Sequence, residues 1–328
     1  MSPLKPSCQV CGPQERLLRC SACKAVSYCG QEHQAADRPQ HKKQCKEIKN
    51  NRLKLEREEA EMRAKPDDMF LPQPIFEKGV GNFWGILDTR DYTRARCGVV
   101  NSLVATNTFE GLSLAMEHTM DMLRLCRSDN LGMRTLVPAV LLRLGKEQEC
   151  YDFIKWWEKI SEDSHYDWGN NELPYLDIKD ADVFEPVDLY CKKFADLYKT
   201  FDVMLLKIQL LLDLRSLQNS QEVFTTLVQN RKEELRAKGL QQLIETLESQ
   251  IQQLYNALKR ANANLWPVFI NPEPHFAANP PYYSRGELSE AQLALKNSYQ
   301  AWRETPGSTD VVRNLMVLDP DFPNVQST

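Results

Sequence analysis

Eight cysteine and histidine residues near the start of the chain constrain its fold more than any other feature. They follow the pattern C-x2-C-x8-C-x2-C-x5-C-x3-H-x7-H-x3-C, and they are Cys8, Cys11, Cys20, Cys23, Cys29, His33, His41 and Cys45. A C-x2-C pair turns two thiolates toward one ion, and two ligands four residues apart share one face of a helix. Eight ligands therefore make two closed tetrahedral zinc sites, with no open position for a catalytic water.

Disulfide bonds and redox chemistry explain this pattern less well than zinc does. The chain begins without an apolar signal segment, so we expect an intracellular protein of the cytoplasm or nucleus, where thiols stay reduced. A redox C-x-x-C motif would accompany a βαβ pattern, which the sequence lacks. The longest apolar stretches, such as Leu136–Leu142 and Val203–Leu214, are too short or too interrupted to span a bilayer.

Four short motifs carry the pattern: Cys8-Gln-Val-Cys11, Cys20-Ser-Ala-Cys23, Ser27-Tyr28-Cys29 and His41-Lys42-x-x-Cys45. Together they resemble the MYND-type zinc finger over residues 8–45. The cross-braced arrangement of that family implies one zinc ion on Cys8, Cys11, Cys29 and His33, and the other on Cys20, Cys23, His41 and Cys45. The resemblance also implies a module that binds short, proline-containing peptide segments of other proteins.

Two positions depart from the family's pattern. His33 stands where the family usually has cysteine, and imidazole is an equally good zinc ligand. Gln34 matches a residue that lines the family's peptide groove, but Arg38 stands where the family tends to have tryptophan. Without that aromatic platform, a more polar or acidic ligand becomes an alternative to a proline-containing one.

Basic residues are concentrated at the start of the chain. The first 65 residues hold 14 Lys+Arg against 8 Asp+Glu, whereas residues 66–328 hold 27 against 37. A cluster follows His41, namely Lys42, Lys43, Lys46 and Lys49, and it could meet phosphate or an acidic partner. The simpler interpretation is a solvated helix face that counters the anionic zinc–thiolate sites. No aromatic residues are interleaved for base stacking, so nucleic-acid binding is not expected.

The whole sequence predicts a mostly α fold, with a small N-terminal cross-braced two-zinc finger followed by an α-helical body. Residues 46–88 are expected to form a charged, solvated helix and a proline-containing linker, residues 89–318 the body and residues 319–328 a tail. Within the body, Asn107-Thr-Phe-Glu110 has the form of a capping box. Leu144-Gly145 matches the tetratricopeptide consensus without a clean repeat. The body thus resembles a degenerate tetratricopeptide-like solenoid, as in the uncharacterised fungal MYND proteins.

Further helices and one arm are predicted beyond residue 185. Pro186 suits the first turn of a helix whose buried face holds Val187, Tyr190, Phe194, Leu197 and Phe201. Residues 203–217 are apolar on most sides, as expected of a central helix, and a capping box at Ser289 opens a helix that runs to Trp302. Between these two lies a helix with an apolar stripe of Leu240, Ile244, Leu247, Ile251, Leu254 and Leu258. For this stripe, packing within the chain is favoured over a coiled-coil dimer, and the oligomeric state stays open. Residues 266–286 are expected to form an extended arm that packs its aromatic side chains across the helices. The alternative is that the arm occupies the peptide groove of the finger.

Closed zinc sites and paired helices without a catalytic motif indicate an adaptor, not an enzyme. The finger would recognise one partner protein and the body would act as a scaffold, in a role such as transcriptional or ubiquitin-pathway regulation. The alternative function is a protein lysine methyltransferase, because some of these enzymes combine a SET domain with a MYND finger. Only seven residues precede Cys8, and the Asn-His pair of SET domains is absent, so the sequence favours the adaptor. Zinc removal is expected to unfold the finger and leave the helical body largely intact.

Overall fold

Helices form most of the part of the chain that the computed structural model describes, which is residues 3–193, 195–220, 239–278, 280 and 282–322. In those residues the α-helices are α1 (Gln31–Ala64), α2 (Ile75–Lys78), α3 (Arg90–Val104), α4 (Phe109–Leu125), α5 (Val137–Arg143), α6 (Glu147–Ile160), α7 (Leu197–Ser220), α8 (Leu240–Ala261), α9 (Leu265–Ile270), α10 (Glu273–Phe276), α11 (Leu288–Arg303) and α12 (Ser308–Val317). Two short antiparallel strands, β1 (Leu18–Arg19) and β2 (Ser27–Tyr28), pair near the start. The predicted mostly α fold is confirmed. None of the helices described is long and apolar enough to cross a membrane.

The chain divides into two compact units. The N-terminal unit comprises Leu4–Val140 and His165–Tyr175, and the C-terminal unit comprises Met1–Pro3, Leu141–Ser164 and Leu176–Thr328. The cysteine-rich segment belongs to the same unit as the first helices, so these limits differ from the segment bounds predicted from the sequence. Those bounds stay a prediction about which parts of the chain fold by themselves.

The sequence predicted that the charged segment after the cysteine-rich region is solvated. In the structure, one face of this segment is buried. The segment is the second half of α1, which continues for 34 residues without interruption. Ile48, Leu55 and Met62 are buried, and their seven-residue spacing places them on one face. This face packs along α3, where Asn51 Nδ2 donates a hydrogen bond to Gly98 O at 3.0 Å. The sequence pattern did not reveal this face, because it has only one apolar residue every two turns among many charged residues.

The proline-containing segment between α1 and α3 is irregular, as predicted, but it is packed into the N-terminal unit. It contains α2 and two 3-10 turns, and Leu71 and Ile75 are buried. The ring centroid of Phe76 lies 5.5 Å from that of Phe83 and 5.2 Å from that of Tyr92. Because these aromatic rings join the segment to α3, it contributes to the core of its unit.

α7 begins later than the sequence predicts. Pro186 precedes only a 3-10 turn at Asp188–Tyr190, not the first turn of a long helix. The Asp196 carboxylate accepts hydrogen bonds from the amides of Tyr198 at 3.1 Å and Lys199 at 3.2 Å, and so caps the start of α7. Four residues of the predicted apolar face are buried, namely Val187, Tyr190, Leu197 and Phe201. Phe194 lies outside the described residues.

The apolar stripe of α8 packs against α7 within the C-terminal unit. Its buried members are Ile244, Leu247, Ile251, Leu254 and Leu258. The structure therefore has the packing within the chain that the sequence interpretation favoured.

The arm predicted at residues 266–286 is helical at its start and not extended, because it begins with α9 and α10. The ring of Trp266 stacks on Tyr255 with centroids 5.0 Å apart, and Phe269 meets Trp302 edge to face at 4.8 Å. These rings lie in the core of the C-terminal unit, so the start of the arm packs on helices of its own unit. Asn279 and Pro281 lie outside the described residues, and occupation of the finger's groove by the arm stays a prediction.

A buried carboxyl group on α7 gives the C-terminal unit a predicted pH dependence. Burial raises the pKa of Asp202 to about 7, although the Ser298 side chain favours the ionised form. An unfolded aspartate has a pKa of about 3.9, so the stability from this group is present below that pH and is lost as the pH rises toward 7. In urea unfolding, Asp202→Asn should become increasingly more stable than the unaltered protein between about pH 4.5 and 7, by up to about 1.4 kcal/mol per pH unit, and the difference should level off above pH 7. A difference that stays constant with pH would contradict this assignment.

Candidate metal centre

Two closed backbone loops position the first four cysteines. In the first loop, Cys8 N donates to Gly12 O at 2.8 Å and Gly12 N donates to Cys8 O at 2.9 Å. Gly12 takes a φ of 82°, in the left-handed region that suits glycine. In the second loop, Cys20 N donates to Val26 O at 2.8 Å, and Lys24 N donates to Cys20 O at 2.9 Å. Each loop brings the two thiols of a C-x2-C pair together.

The other four donors come from α1 and the residue just before its cap. Cys29 precedes Gly30, the N-cap of α1, and the helix itself carries His33, His41 and Cys45. His41 and Cys45 are one turn apart and share a face. His33 lies eight residues before His41, which is about 12 Å along the helix axis. A single helix therefore sets the separation of two donor groups.

The eight side chains form two clusters of four, in the two sets that the family resemblance implied. Cluster 1 is Cys8, Cys11, Cys29 and His33, and cluster 2 is Cys20, Cys23, His41 and Cys45; in each, the donor atoms lie within 4.8 Å of one another. In cluster 1, Cys11 Sγ lies 3.6 Å from Cys29 Sγ, and Cys29 Sγ lies 3.0 Å from His33 Nδ1. In cluster 2, Cys20 Sγ lies 3.8 Å from Cys45 Sγ, and Cys23 Sγ lies 3.4 Å from His41 Nε2. The chain is therefore cross-braced.

These distances fit tetrahedral zinc. Zinc–sulfur and zinc–nitrogen bonds of about 2.3 and 2.1 Å place neighbouring donors about 3.8 Å (sulfur to sulfur) or 3.6 Å (sulfur to nitrogen) apart. Most of the observed separations lie within a few tenths of an ångström of those edges, and the donors are the thiol and imidazole groups that zinc prefers. The two clusters are thus positioned to hold two zinc ions. Each offers four protein ligands, which is the composition of a structural site.

The electrostatics of the thiols also call for a cation. Burial opposes ionisation of Cys8, but backbone amides of Cys11, Cys29 and Val10 outweigh it and lower its pKa to about 6. Desolvation and the neighbouring thiols raise the pKa of Cys11 to about 11 and that of Cys23 to about 12. Burial also opposes ionisation of Cys20, but hydrogen bonds from the Cys23 backbone and from His41 lower its pKa to about 6. One thiol in each C-x2-C pair thus ionises readily and its partner resists. A divalent ion removes this conflict because it attracts every thiolate at once.

Comparison with known proteins agrees with this geometry. The family model described as the MYND finger matches residues 8–45. These residues form a MYND finger. The human protein Egl nine homolog 1 is 50% identical over 38 residues, which is 12% of this chain and 9% of that protein. Because the chain spans so little of that relative, the similarity extends no further than the length of a finger. No solved structure shows a significant match to the chain, so the tetratricopeptide-like body is not confirmed.

The MYND finger docks on the N-terminal end of α4 within the N-terminal unit. Ser27 Oγ donates a hydrogen bond of 2.5 Å to Glu110 Oε1, and both side chains are buried. Thr108 Oγ1 donates to the carbonyl oxygen of Ala25 and accepts from Gly111 N at 3.0 Å. Thr108 is therefore the N-cap of α4, one residue after the predicted cap, and Glu110 binds the finger. The sequence pattern of a capping box could not reveal this contact.

Removing the Glu110 carboxylate should loosen the docking of the finger. Glu110→Ala leaves Ser27 Oγ buried without that acceptor, and we expect it to lower the free energy of unfolding of the N-terminal unit by about 1–3 kcal/mol. The matched control is Glu117→Ala, which makes the same change at an exposed position of α4. Chemical denaturation followed by circular dichroism checks both variants. Equal effects of the two substitutions would show that the Ser27–Glu110 hydrogen bond does not stabilise the fold.

The two residues that the family resemblance assigns to the peptide groove are accessible. Gln34 is half-buried and Arg38 is exposed, and both belong to α1. The lysines predicted to form a basic cluster, Lys42, Lys43, Lys46 and Lys49, are all exposed on the same helix. Docking on α4 involves Ala25 and Ser27, so it leaves this part of α1 accessible.

The remaining cysteines do not join either cluster. Cys126 and Cys150 are buried, and Cys97 and Cys191 are half-buried. Among the described residues, the groups of side chains arranged to hold a metal ion are the two clusters of the finger. Cys126 and Cys150 therefore behave as small apolar side chains packed among the helices.

Proposed function

We propose that this protein is an interaction adaptor whose zinc-stabilised MYND finger recognises a peptide segment of a partner protein. MYND fingers are protein-interaction modules, and residues 8–45 match that family. The observation that carries the proposal is the arrangement of α1. Two four-ligand clusters hold its first half, while Gln34 and Arg38 remain at the surface. Because this accessible face is already ordered, binding a partner costs it little conformational entropy.

The helical body serves as the scaffold in this proposal. It fixes the finger through Ser27 and Glu110, and so sets the direction from which a partner approaches. Bound zinc supplies structural cross-links between the loops and α1. The chain's own residues provide the recognition surface.

No catalytic step is part of the proposal. Each cluster has four protein ligands, which fill the tetrahedral positions of zinc and leave none for a substrate or water. Incubation with labelled S-adenosylmethionine and histone or bulk protein tests the methyltransferase alternative. We expect no transfer of label, and measurable transfer would overturn this part of the proposal.

An intracellular site of action, in the cytoplasm or nucleus, also belongs to the proposal, because the zinc-binding thiols must stay reduced. Regulation of transcription or of a ubiquitin pathway is the type of role proposed.

Partner capture with surface variants tests the proposed function. The full chain carrying Gln34→Ala and Arg38→Ala should retain both zinc ions, because neither side chain is a ligand. Arg38→Ala also removes a hydrogen bond to the Cys45 thiol, so the zinc content of the variant is measured first. We expect it to lose partners that the unaltered chain retains in a quantitative pull-down from native cells. The matched control, Gln40→Ala with Lys54→Ala, changes exposed positions of the same helix and should keep them. An unchanged set of partners would mean that recognition does not use the finger.

A further inference from the structure

We propose that the exposed basic face of α1, formed by Arg38, Lys42, Lys46 and Lys49, binds an extended acidic peptide with carboxylates at alternate positions. This inference rests on the proposed function and names the chemistry of the partner. All four residues are exposed. At 100° per residue they fall within an arc of about 80° on the helix. They therefore form a stripe that runs along α1 from the finger's groove toward the middle of the helix.

The stripe is not paired with carboxylates. Within the part of the chain that the structure describes, these four side chains form no ion pair with Asp or Glu, whereas Arg57 and Arg63 further along α1 pair with Glu58 and Glu59. The Arg38 side chain does hydrogen-bond the thiol of Cys45 in cluster 2, so the three lysines carry the unpaired charge of the stripe. Asp37, the acidic residue next to Arg38, instead accepts the hydroxyl hydrogen of Tyr28 at 2.6 Å.

The positive charge of the finger's side chains exceeds the negative charge of the two zinc clusters. Residues 8–49 hold eight Lys+Arg and four Asp+Glu, a formal charge of +4. Three thiolates and one neutral imidazole around Zn²⁺ carry about −1 in each cluster. Two clusters thus leave about +2, with four of the cations on one stripe. The surplus attracts an anionic partner, beyond the solvated countercharge that the sequence alone favoured.

The spacing of the charges selects the conformation of the partner. Residues four apart on a helix, as in Arg38–Lys42–Lys46, rise by about 6 Å. Alternate residues of an extended strand lie about 6.6 Å apart on one side. An extended peptide with acidic residues at positions i, i+2 and i+4 therefore places one carboxylate near each cation. The stripe is about 16 Å long, which corresponds to about five residues of extended peptide.

A peptide fits this face better than a single-stranded nucleic acid does. Sequence-independent binding of single strands uses aromatic platforms on which bases stack. α1 contains no aromatic residue other than its histidines, and His41 is buried as a member of cluster 2. Beyond the stripe the helix is neutral overall, because residues 50–64 hold four basic and four acidic residues, so the positive surface does not continue along a longer phosphate backbone.

Fluorescence anisotropy with the zinc-loaded full chain tests the inference at about 50 mM salt. The probe is a labelled peptide, Glu-Ala-Glu-Ala-Glu, with three comparisons: Gln-Ala-Gln-Ala-Gln, the rearranged Glu-Glu-Glu-Ala-Ala and a five-nucleotide oligothymidylate. We expect the first peptide to bind more tightly than all three. Lys42→Glu with Lys46→Glu should weaken it at least about tenfold, because two attractive pairs become repulsive. The control, Lys43→Glu with Lys54→Glu, makes the same charge change on α1 outside the stripe and should alter binding less than about threefold.

Several results would overturn the inference. Equal losses of affinity in the two double variants would show a general effect of charge. Equal binding of the rearranged peptide would show that the spacing of the carboxylates does not matter. Tighter binding of the oligonucleotide would identify nucleic acid, not an acidic peptide, as the ligand of this face. Zinc content, measured in every variant, must stay unchanged for the comparison to count. If the acidic peptide fails while partner capture still depends on Gln34 and Arg38, this inference is wrong and the proposed function stands.

Discussion

Chelation of zinc is expected to remove amide-exchange protection from residues 8–45 and also from the helices on which the finger rests. Structural zinc contributes about 10–16 kcal/mol of binding free energy in small zinc-finger peptides, and that energy becomes folding energy because the apo segment has little core. α1 belongs to both the finger and the packing against α3. Ser27 and Glu110 join the finger to α4. Loss of the clusters should therefore spread into the first half of α1 and the start of α4.

Hydrogen exchange read by mass spectrometry, with and without a chelator, checks this expectation. The internal control is the pairing of α7 with α8, whose contacts lie in the C-terminal unit and whose protection should persist. If exchange rises only within residues 8–45, the finger folds without help from the helices, and its docking on α4 does not stabilise them. A collapse of the whole far-UV circular dichroism signal would contradict a separate C-terminal unit.

Cys23→Ser is expected to destabilise the protein more than Cys11→Ser, although each removes one ligand from one cluster. All four members of cluster 2 are buried, and Cys23 is 0% exposed, whereas Cys11 is exposed. When the zinc ion is lost from an exposed site, water can solvate the serine hydroxyl and the remaining donors, but a buried serine leaves both its hydroxyl and the other donors of the cluster unsatisfied. We expect Cys23→Ser to lower the unfolding free energy by more than about 4 kcal/mol and to release one zinc ion.

Urea denaturation and zinc analysis of the purified variants measure both effects. Cys97→Ser is the matched control, because Cys97 belongs to neither cluster and should change stability by about 1 kcal/mol or less. A larger destabilisation by Cys11→Ser than by Cys23→Ser would reverse the expected order. It would show that cluster 1 carries the fold of the finger.

The metal site could be predicted from the sequence because zinc demands a fixed chemistry and spacing. Thiols and imidazoles two or four residues apart leave few geometries open. The mostly α body could be predicted for a similar reason, since an apolar stripe such as that of α8 shows the helical period directly. In both cases the signal is local in the chain.

Contacts between distant segments could not be predicted in this way. Glu110 has the same local pattern whether it caps α4 or binds Ser27, which is 83 residues away. The packing of α1 on α3 depends on Ile48, Leu55 and Met62. Their apolar pattern is hard to recognise in the sequence because most of the neighbouring residues are charged. The late start of α7 depends on capping by Asp196, which competes with Pro186 as a start signal. Each of these outcomes is decided by tertiary or capping contacts and not by periodicity.

The most direct test of the central claim is the number of zinc ions bound to each chain, measured by native mass spectrometry of the full protein and its variants. A two-zinc finger predicts two ions on the unaltered chain, one on Cys11→Ser, one on Cys23→Ser and none on the double variant. Two ions on Cys97→Ser would show that the loss is specific to the clusters. A chain that binds fewer than two ions when unaltered, or that keeps both after loss of a cluster cysteine, would contradict the account.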